Sequence, residues 1–265
     1  MAQEYPVDDQ QQARPRRRGR KLLIGLVVLL LVVAGLLVVA DRVAVGVAER
    51  LIAERVSQEI SKQGAQSSAP DVEVGGMPFL TQVLGGRYER ISISLRDVQA
   101  SVEGDAVRLP VLDVDARNVR ASLDTLRTGQ GDVVADTVDG TGTISYESLA
   151  ALLKRPGLTL GEQGGKLAVS APVDILGTKF TVAGTADVTV AKNGAVALRF
   201  NNLDAAGLPN LPLARTILSN YAKSISIDVP LPDLPFQLTV RKVQPLPEGL
   251  AVTADAKNVP INSVS

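Results

Sequence analysis

An apolar segment near the N-terminus, "LLIGLVVLLLVVAGLLVVA" at residues 22–40, constrains this chain more than any other feature. No charged residue interrupts it. As a helix it would be about 28 Å long, close to the roughly 30 Å thickness of a bilayer's hydrocarbon layer. We therefore expect the chain to cross a membrane once.

Basic residues cluster directly before this segment, in "RPRRRGRK" at residues 14–21. The positive-inside rule places such a cluster in the cytoplasm and everything after Asp41 outside, so we expect a single-pass plasma-membrane protein with a periplasmic or extracytoplasmic domain. A cleaved signal peptide is the alternative, because Val38 and Ala40 offer a cleavage site. Signal peptides usually have an apolar region of only about 7–15 residues, which favours a retained anchor.

The basic run does not indicate a nucleic-acid partner. Membrane topology already accounts for it, and acidic residues slightly outnumber basic residues after residue 40. A nucleic-acid-binding domain would carry its positive charge on the folded part.

The chain contains neither histidine nor cysteine. This excludes Ser-His-Asp and Cys-His catalysis, and it removes the usual ligands of zinc. Asp113 and Asp115 lie two apart on a predicted strand, where they could bind a cation or act as an acid-base pair, although such pairs more often form a solvated strand face. The glycine-rich stretches lack the spacing of a phosphate-binding loop. We expect no enzyme activity, no metal and no cofactor.

Periodicity predicts an amphipathic helix from Asp41 to Gln63, followed by a stop and a short loop from Gly64 to Pro70. After residue 70 the period changes to two, as in "ERISISLRDV", which predicts antiparallel strands with one apolar and one polar face. "TVAKNGAVALRF" predicts a tight hairpin at its Asn-Gly pair. Helices are predicted in "SYESLAALLKRPG", with Ser145 as N-cap, and in "LPLARTILSNYAK".

These patterns divide the chain into four parts. They are a basic cytoplasmic tail at 1–21, a transmembrane anchor or uncleaved signal at 22–40, an amphipathic helix and loop at 41–70, and one domain at 71–262.

Two apolar stretches occupy turn-like sequence. "GGMPFLTQVLGGRY", residues 75–88, predicts a short helix capped by Gly85, and "VPLPDLPFQL", residues 229–238, places apolar residues between three prolines. Proline lacks an N–H donor, so the second stretch is a rigid irregular segment rather than a central strand. Either these stretches plug the ends of a core, or they rim an apolar groove and touch lipid.

At these residues the chain resembles a known family. "VGGMPFLTQVLGGRYERISISLRDV", "TISYESLAALL" and "LPDLPFQLTVRKVQPLPEGLAVTADAKNVPI" are similar, in order, to the opening, middle and closing blocks of the LmeA-type phospholipid-binding proteins of actinobacteria, over residues 71–262. The resemblance implies an α+β fold of the tubular lipid-binding (TULIP, BPI-like) class, with a strongly curved antiparallel sheet wrapped around a long helix, here preceded by one transmembrane helix. It also implies phospholipid and membrane as partners, and a role with the machinery that matures lipoglycans such as lipomannan.

The leading hypothesis is a membrane-anchored cell-envelope protein that holds or transfers phospholipid in an apolar groove. The groove entrance is expected at Met77, Phe79, Leu80, Leu231, Leu234 and Phe236. The groove lining is expected at Ile91, Ile93, Leu95, Val182 and Val188 on the strands. The opposite register of any one strand would turn the alternate residues inward. The alternatives are a non-lipid scaffold that docks an envelope enzyme or transporter through the same apolar surface, and a hydrolase that uses Asp113 and Asp115.

Overall fold

The computed structural model describes residues 18–62, 64–102, 105–122, 124–125, 131–154, 157–175, 178–191, 195–205, 220, 222, 226–229 and 238–261. The chain divides into two compact units between Val43 and Ala44. The second unit holds every strand of the fold that the described ranges contain.

Helix α1, Arg18–Lys62, contains the apolar segment. Its most apolar 18-residue window has a mean hydropathy of 3.3, so by length and composition it is able to cross a membrane. The predicted helix stop is confirmed, because Gly64 has a φ of 73° and the N–H of Ala65 donates to the carbonyl of Ile60 at 3.1 Å. A left-handed glycine of this kind ends many helices.

Two antiparallel sheets follow α1, with two short helices between strands. The first sheet has the order β1-β2-β3-β4-β11-β10 and the second has the order β5-β6-β7-β8-β9. The elements are β1 Asp71–Gly75, α2 Phe79–Gly85, β2 Arg87–Val102, β3 Asp105–Arg120, β4 Val134–Ile144, α3 Tyr146–Leu152, β5 Thr159–Gln163, β6 Lys166–Ile175, β7 Thr178–Val190, β8 Val196–Ala205, β9 Ile227–Val229, β10 Thr239–Leu246 and β11 Gly249–Pro260.

Several local predictions are confirmed. Ser145 caps α3, because its hydroxyl accepts from the N–H of Ser148 at 3.2 Å. β7 and β8 form the predicted antiparallel hairpin, with Val190 opposite Val196. Its Asn-Gly turn lies outside the described residues, as does most of the predicted helix in "LPLARTILSNYAK".

The first sheet has one apolar face, which we call the inner face. Residues directly opposite each other in an antiparallel register share a face, so the pairings define rows across the strands. Three inner rows follow from the register: first Val74, Ile91, Ala116, Val138 and Ala256; second Val72, Ile93, Val114, Gly140, Ala254 and Val240; third Leu95, Leu112, Gly142, Val252 and Val243.

The outer face of the same sheet is polar. Ser92 and Ser94 donate to the carboxylates of Asp115 and Asp113, each at 2.6 Å, across β2 and β3. These bonds confirm the predicted alternation of "ERISISLRDV", with its serines on one face and its aliphatic residues on the other.

At one end of this sheet the inward-facing positions step by three residues instead of two. Asn118 on β3 and Asn258 on β11 have φ angles of 50° and 52°, and both flank Asp136 on β4. A left-handed residue in a strand bends the strand and shifts the side-chain alternation by one residue. The residues on both sides of Asn118, Asp136 and Asn258 therefore continue the same inner face. The buried positions beyond it are Tyr88, Val119, Ala135 and Val259.

Two apolar clusters cover opposite ends of the inner face. In the helix cluster, Val45 packs with Val74, Phe79, Tyr88, Ala116, Val119, Ala121 and Ala135, and Ala44, Ala48 and Ile52 of α1 pack against them. In the sheet cluster, Val240, Val243, Leu250 and Ala254 of the first sheet pack with Val196 of the second, and Val188 and Leu198 lie against them. The second unit is thus an α+β fold of antiparallel sheets in which α1 packs against the inner face of the first sheet, and the α+β class that the resemblance implies is confirmed.

Candidate functional site: an apolar trough on the inner face

Between the two clusters lies a part of the inner face that neither covers. Its residues are Ile93, Leu112, Val114, Gly140 and Gly142, which we call the central trough. The three aliphatic side chains are half-buried rather than buried. The trough is therefore apolar surface that the described part of the fold leaves partly open.

The two glycines of β4 give the trough its depth. Among the described atoms, a Cβ built on Gly140 would meet only the carbonyl oxygen of Asp113, at 4.0 Å, and one on Gly142 would meet only Cδ1 of Leu112, at 3.6 Å. Both are ordinary contact distances. Among the described residues there is room for a Cβ at both positions, and the chain places none there.

The predicted lining residues of β2 lie beside this trough. Ile93 belongs to it, Leu95 is buried next to Leu112 in the third row, and Ile91 packs against the helix cluster in the first row. All three face inward. Sequence reasoning missed Gly140 and Gly142, although their spacing of two in "VADTVDGTGTI" was a usable signal for one strand face.

The predicted residues of β7 lie on the second sheet. Val182 is buried, and Val188 packs against the sheet cluster. Both share a face with Ala186, which is fully buried, so both point towards the interior.

The predicted entrance residues separate into three groups. Met77 is 67% exposed, Leu80 on α2 is half-buried, and Phe79 is only 5% exposed within the helix cluster. The stretch that contains Leu231, Leu234 and Phe236 lies outside the described residues.

Helix α2 is held in place by a buried glutamine that the sequence reasoning did not single out. The amide nitrogen of Gln82 donates to the carbonyl of Gly75 at 3.2 Å, and its amide oxygen accepts from the N–H of Glu89 at 2.9 Å. The helix is thus tied to the end of β1 and the start of β2. The predicted cap at Gly85 is wrong: the left-handed residue is Gly86, with a φ of 61°, because Gly85 still belongs to the helix.

Tyr88 places a polar atom among the apolar side chains of the helix cluster. Its ring centroid lies 6.2 Å from that of Phe79, and its hydroxyl is buried with no hydrogen-bond partner among the residues that the structure describes. Burial raises the pKa of this hydroxyl above its ordinary value. An unpaired buried hydroxyl is uncommon in a folded protein.

Asp113 and Asp115 do not form a catalytic pair in a cleft. They lie on the outer face and accept hydrogen bonds from Ser94 and Ser92, as expected of a solvated strand face. Within the described ranges, no group of three or more acidic side chains is arranged to hold a metal ion.

Comparison with known proteins bears on what this trough holds. No curated protein and no solved structure matches the chain. A family model described as LmeA-like phospholipid-binding matches residues 39–255, a range that includes the trough and both apolar clusters. The description names a lipid-binding family and not a family of enzymes. Because the match covers most of the sequence, the chain belongs to the LmeA-like phospholipid-binding family.

Proposed function

We propose that this protein is anchored in the plasma membrane by residues 22–40 and holds or transfers a phospholipid with its extracytoplasmic domain. The acyl chains lie in the central trough, and the protein serves the maturation of envelope lipoglycans such as lipomannan. The observation that carries the proposal is the open apolar trough in a chain of a phospholipid-binding family.

The energetics of an acyl chain explain why a trough is needed. Moving one methylene out of water is worth about 0.8 kcal/mol, so two chains of roughly 16 carbons carry on the order of 25 kcal/mol of apolar surface to shelter. A small pocket shelters only a few methylenes. In this proposal the central trough on β2, β3 and β4 is the part of the extended apolar surface that the first sheet contributes.

The lining follows from the inner rows. Ile91, Ile93 and Leu95 form one side of the groove, and Val182 and Val188 contribute from the second sheet. In this proposal Met77 and Leu80 lie at the entrance, and Phe79 is buried in the helix cluster. Leu231, Leu234 and Phe236 complete the entrance in this proposal.

The orientation of the chain is part of the proposal. The basic residues before the apolar segment favour a cytoplasmic N-terminus, and α1 leads from that segment directly into the helix cluster. The lipid-binding unit then faces the envelope side of the membrane, where lipoglycans are completed.

The test uses the full chain in vesicles that contain a small fraction of phospholipid with a photoreactive diazirine on the acyl chain. After illumination, mass spectrometry locates the labelled peptides. We expect labels in residues 87–144, which carry the trough, in addition to the apolar segment 22–40. Labelling of the apolar segment serves as an internal reference in every variant.

A matched pair of glycine variants locates the lipid. Gly140→Leu fills the trough, whereas Gly161→Leu adds the same side chain to β5 at a position where no described atom lies within 4 Å. Gly161 pairs with Ala168 on the face opposite Leu167 and Ala186. A leucine side chain displaces about four methylenes of lipid, or about 3 kcal/mol, so Gly140→Leu should weaken trough labelling about a hundredfold and Gly161→Leu should leave it unchanged.

Labels confined to residues 22–40 in the unmodified chain would contradict the proposal. That result would favour the scaffold hypothesis, in which the apolar surface contacts a protein.

A further inference from the structure

One end of the first sheet carries two arginine pairs that the lipid-holding function does not use. Arg87 lies directly opposite Arg120, and Arg90 lies directly opposite Arg117, on neighbouring strands β2 and β3. All four side chains are exposed. Like charges directly opposite each other in a sheet are destabilising, so this arrangement needs a reason.

Only part of this charge is neutralised within the described structure. Arg120 pairs with Asp136 at 2.9 Å. Over the described ranges, no carboxylate lies within 4.0 Å of Arg87, Arg90 or Arg117. Three arginines on one surface are therefore available to an external anion.

Two neighbouring rows of the outer face near this end carry charges of opposite sign. The register continues the row of Arg90 and Arg117 through Thr137 to Lys257, and all of its charged members are basic. The next row along the strands contains Asp115, Asp139 and Asp255. Arg87 and Arg120 lie beyond the basic row, on the side away from the acidic row.

A cleft opens between the arginines. It has a volume of about 220 Å³ and is lined by Arg87, Tyr88, Glu89, Asn118, Arg120 and Asp136. Glu89 and Asp136 contribute the two carboxylates of this lining, and of the two only Asp136 pairs with an arginine, whereas Arg90 and Arg117 lie outside the lining. The uncompensated charge is thus spread over a surface rather than enclosed in a pocket.

Exposed apolar side chains lie next to these arginines in the chain. Met77, in the turn before α2, is 67% exposed, and Leu84, in the last turn of α2, is 84% exposed. Gly86 alone separates α2 from β2, which begins at Arg87. Large exposed apolar residues beside arginines are typical of surfaces that enter the headgroup region of a bilayer.

Only a short length of chain separates the apolar segment from the helix cluster. Ala44 and Val45 pack in the helix cluster with Tyr88, whose neighbours in the strand are Arg87 and Glu89. Val45 follows the apolar segment 22–40 by only five residues, which span at most about 18 Å even when fully extended. A retained anchor therefore keeps the arginine-bearing end within reach of lipid headgroups.

We propose that Met77, Leu84 and the arginines 87, 90, 117 and 120, which we call the basic end, dock the domain onto an anionic bilayer surface. The two apolar side chains enter the interface while the arginines bind lipid phosphates. This docking rests on the proposed membrane anchoring, and it adds the orientation in which lipid enters the trough.

The test uses a fluorescent probe in the full chain, which contains no cysteine. Leu84→Cys is labelled with a polarity-sensitive dye and reconstituted in vesicles of zwitterionic phosphatidylcholine with or without about 30% anionic phosphatidylglycerol. We expect the probe to report an apolar environment in the anionic vesicles and to be quenched there by brominated acyl chains. The control probe, Gln163→Cys at the exposed end of β5, should report an aqueous environment in both kinds of vesicle.

Arginine substitutions test the charge contribution. One arginine near an anionic surface contributes a factor of about five to binding, so the pair Arg90→Gln and Arg117→Gln should lower the ratio of docked to undocked probe about 30-fold. The matched control is Arg96→Gln with Arg108→Gln on the same two strands. Arg96 lies about 20 Å along β2 from Arg90, beyond the screening length of about 8 Å in physiological salt, so these changes should have little effect.

If the probe at residue 84 reports an aqueous environment on anionic vesicles, the docking proposal is overturned. If the probe at residue 84 inserts equally well with and without anionic lipid, and equally well in the arginine variants, the role of the arginines is overturned. Circular dichroism of each variant establishes that it is folded. Loss of acyl-chain labelling in the trough, with the probe at residue 84 still inserted, would refute the lipid-holding function and leave the docking intact.

Discussion

Replacing Tyr88 by phenylalanine should stabilise the protein, which is the opposite of the usual effect of a core substitution. The hydroxyl of Tyr88 is buried and makes no hydrogen bond to any described residue, so folding removes it from water without compensation from them. Such a group costs about 1–3 kcal/mol. The variant keeps the ring that packs against Phe79 and loses only the unpaired oxygen.

Tyr146 is a matched control for this prediction. Its hydroxyl donates to the carbonyl of Leu246 at 2.8 Å, so Tyr146→Phe removes this hydrogen bond. We expect Tyr88→Phe to raise the free energy of unfolding by about 1 kcal/mol and Tyr146→Phe to lower it by about 1 kcal/mol. For a domain of this size each change corresponds to about 2–4 °C in melting temperature, in opposite directions.

The assay is thermal unfolding of the full chain in detergent micelles, followed by circular dichroism at pH 7. A melting temperature that falls in both variants by a similar amount would refute the reasoning. It would show that the hydroxyl of Tyr88 is hydrogen bonded in the folded protein.

The same hydroxyl predicts how stability depends on pH. Burial raises its pKa above the ordinary value of 10.0, so the folded state holds this proton more tightly than the unfolded chain does. The stability linked to this proton is present in full below pH 10 and is lost as the pH rises from 10 through the folded pKa. Unfolding curves of the wild type between pH 9 and 11.5 should show this loss, and Tyr88→Phe should lose less over the same range. Equal losses would contradict the prediction.

Two further substitutions test the supports of the fold. Gln82→Ala breaks both hydrogen bonds that tie α2 to the sheet and should lower the free energy of unfolding by about 2–3 kcal/mol, whereas the exposed Thr81→Ala should change it by less than about 1 kcal/mol in the same denaturant titration. Gly249→Ala places a Cβ against the carbonyl oxygen of Ile144 and should cost about 2–4 kcal/mol, while Gly161→Ala should be neutral or stabilising. Near-equal melting temperatures within either pair would count against the packing described.

Local signals in the sequence predicted much of the fold. The period of two in β2 assigned Ile93 and Ser94 to opposite faces, and the cross-strand bond from Ser94 to Asp113 confirms it. Ser145 and Gly64 marked a helix start and a helix end, because capping depends on a few neighbouring residues.

Long-range pairing was beyond sequence reasoning. β4 pairs with β11, which puts Gly140 beside Ala254, and no local pattern encodes that choice of partner. The three-residue step at Asn118 and Asn258 was also missed, because an asparagine in a strand signals a left-handed backbone only when its neighbours in the sheet are known. The burial of Phe79 depends on α1 and the sheet enclosing it together.

The two glycines of β4 are the strongest structural argument that the trough has an occupant. Glycine in a strand costs about 0.5–1 kcal/mol relative to alanine, so Gly140 and Gly142 together cost about 1–2 kcal/mol. Crowding by the described residues does not explain them, because an added Cβ would make only ordinary contacts at both positions. A core that evolved only for stability would gain from a side chain at either site, through better strand propensity and more buried apolar surface. The chain instead places aliphatic side chains on β2 and β3 beside two glycines on β4. This is the arrangement expected where acyl chains, rather than side chains, complete the packing.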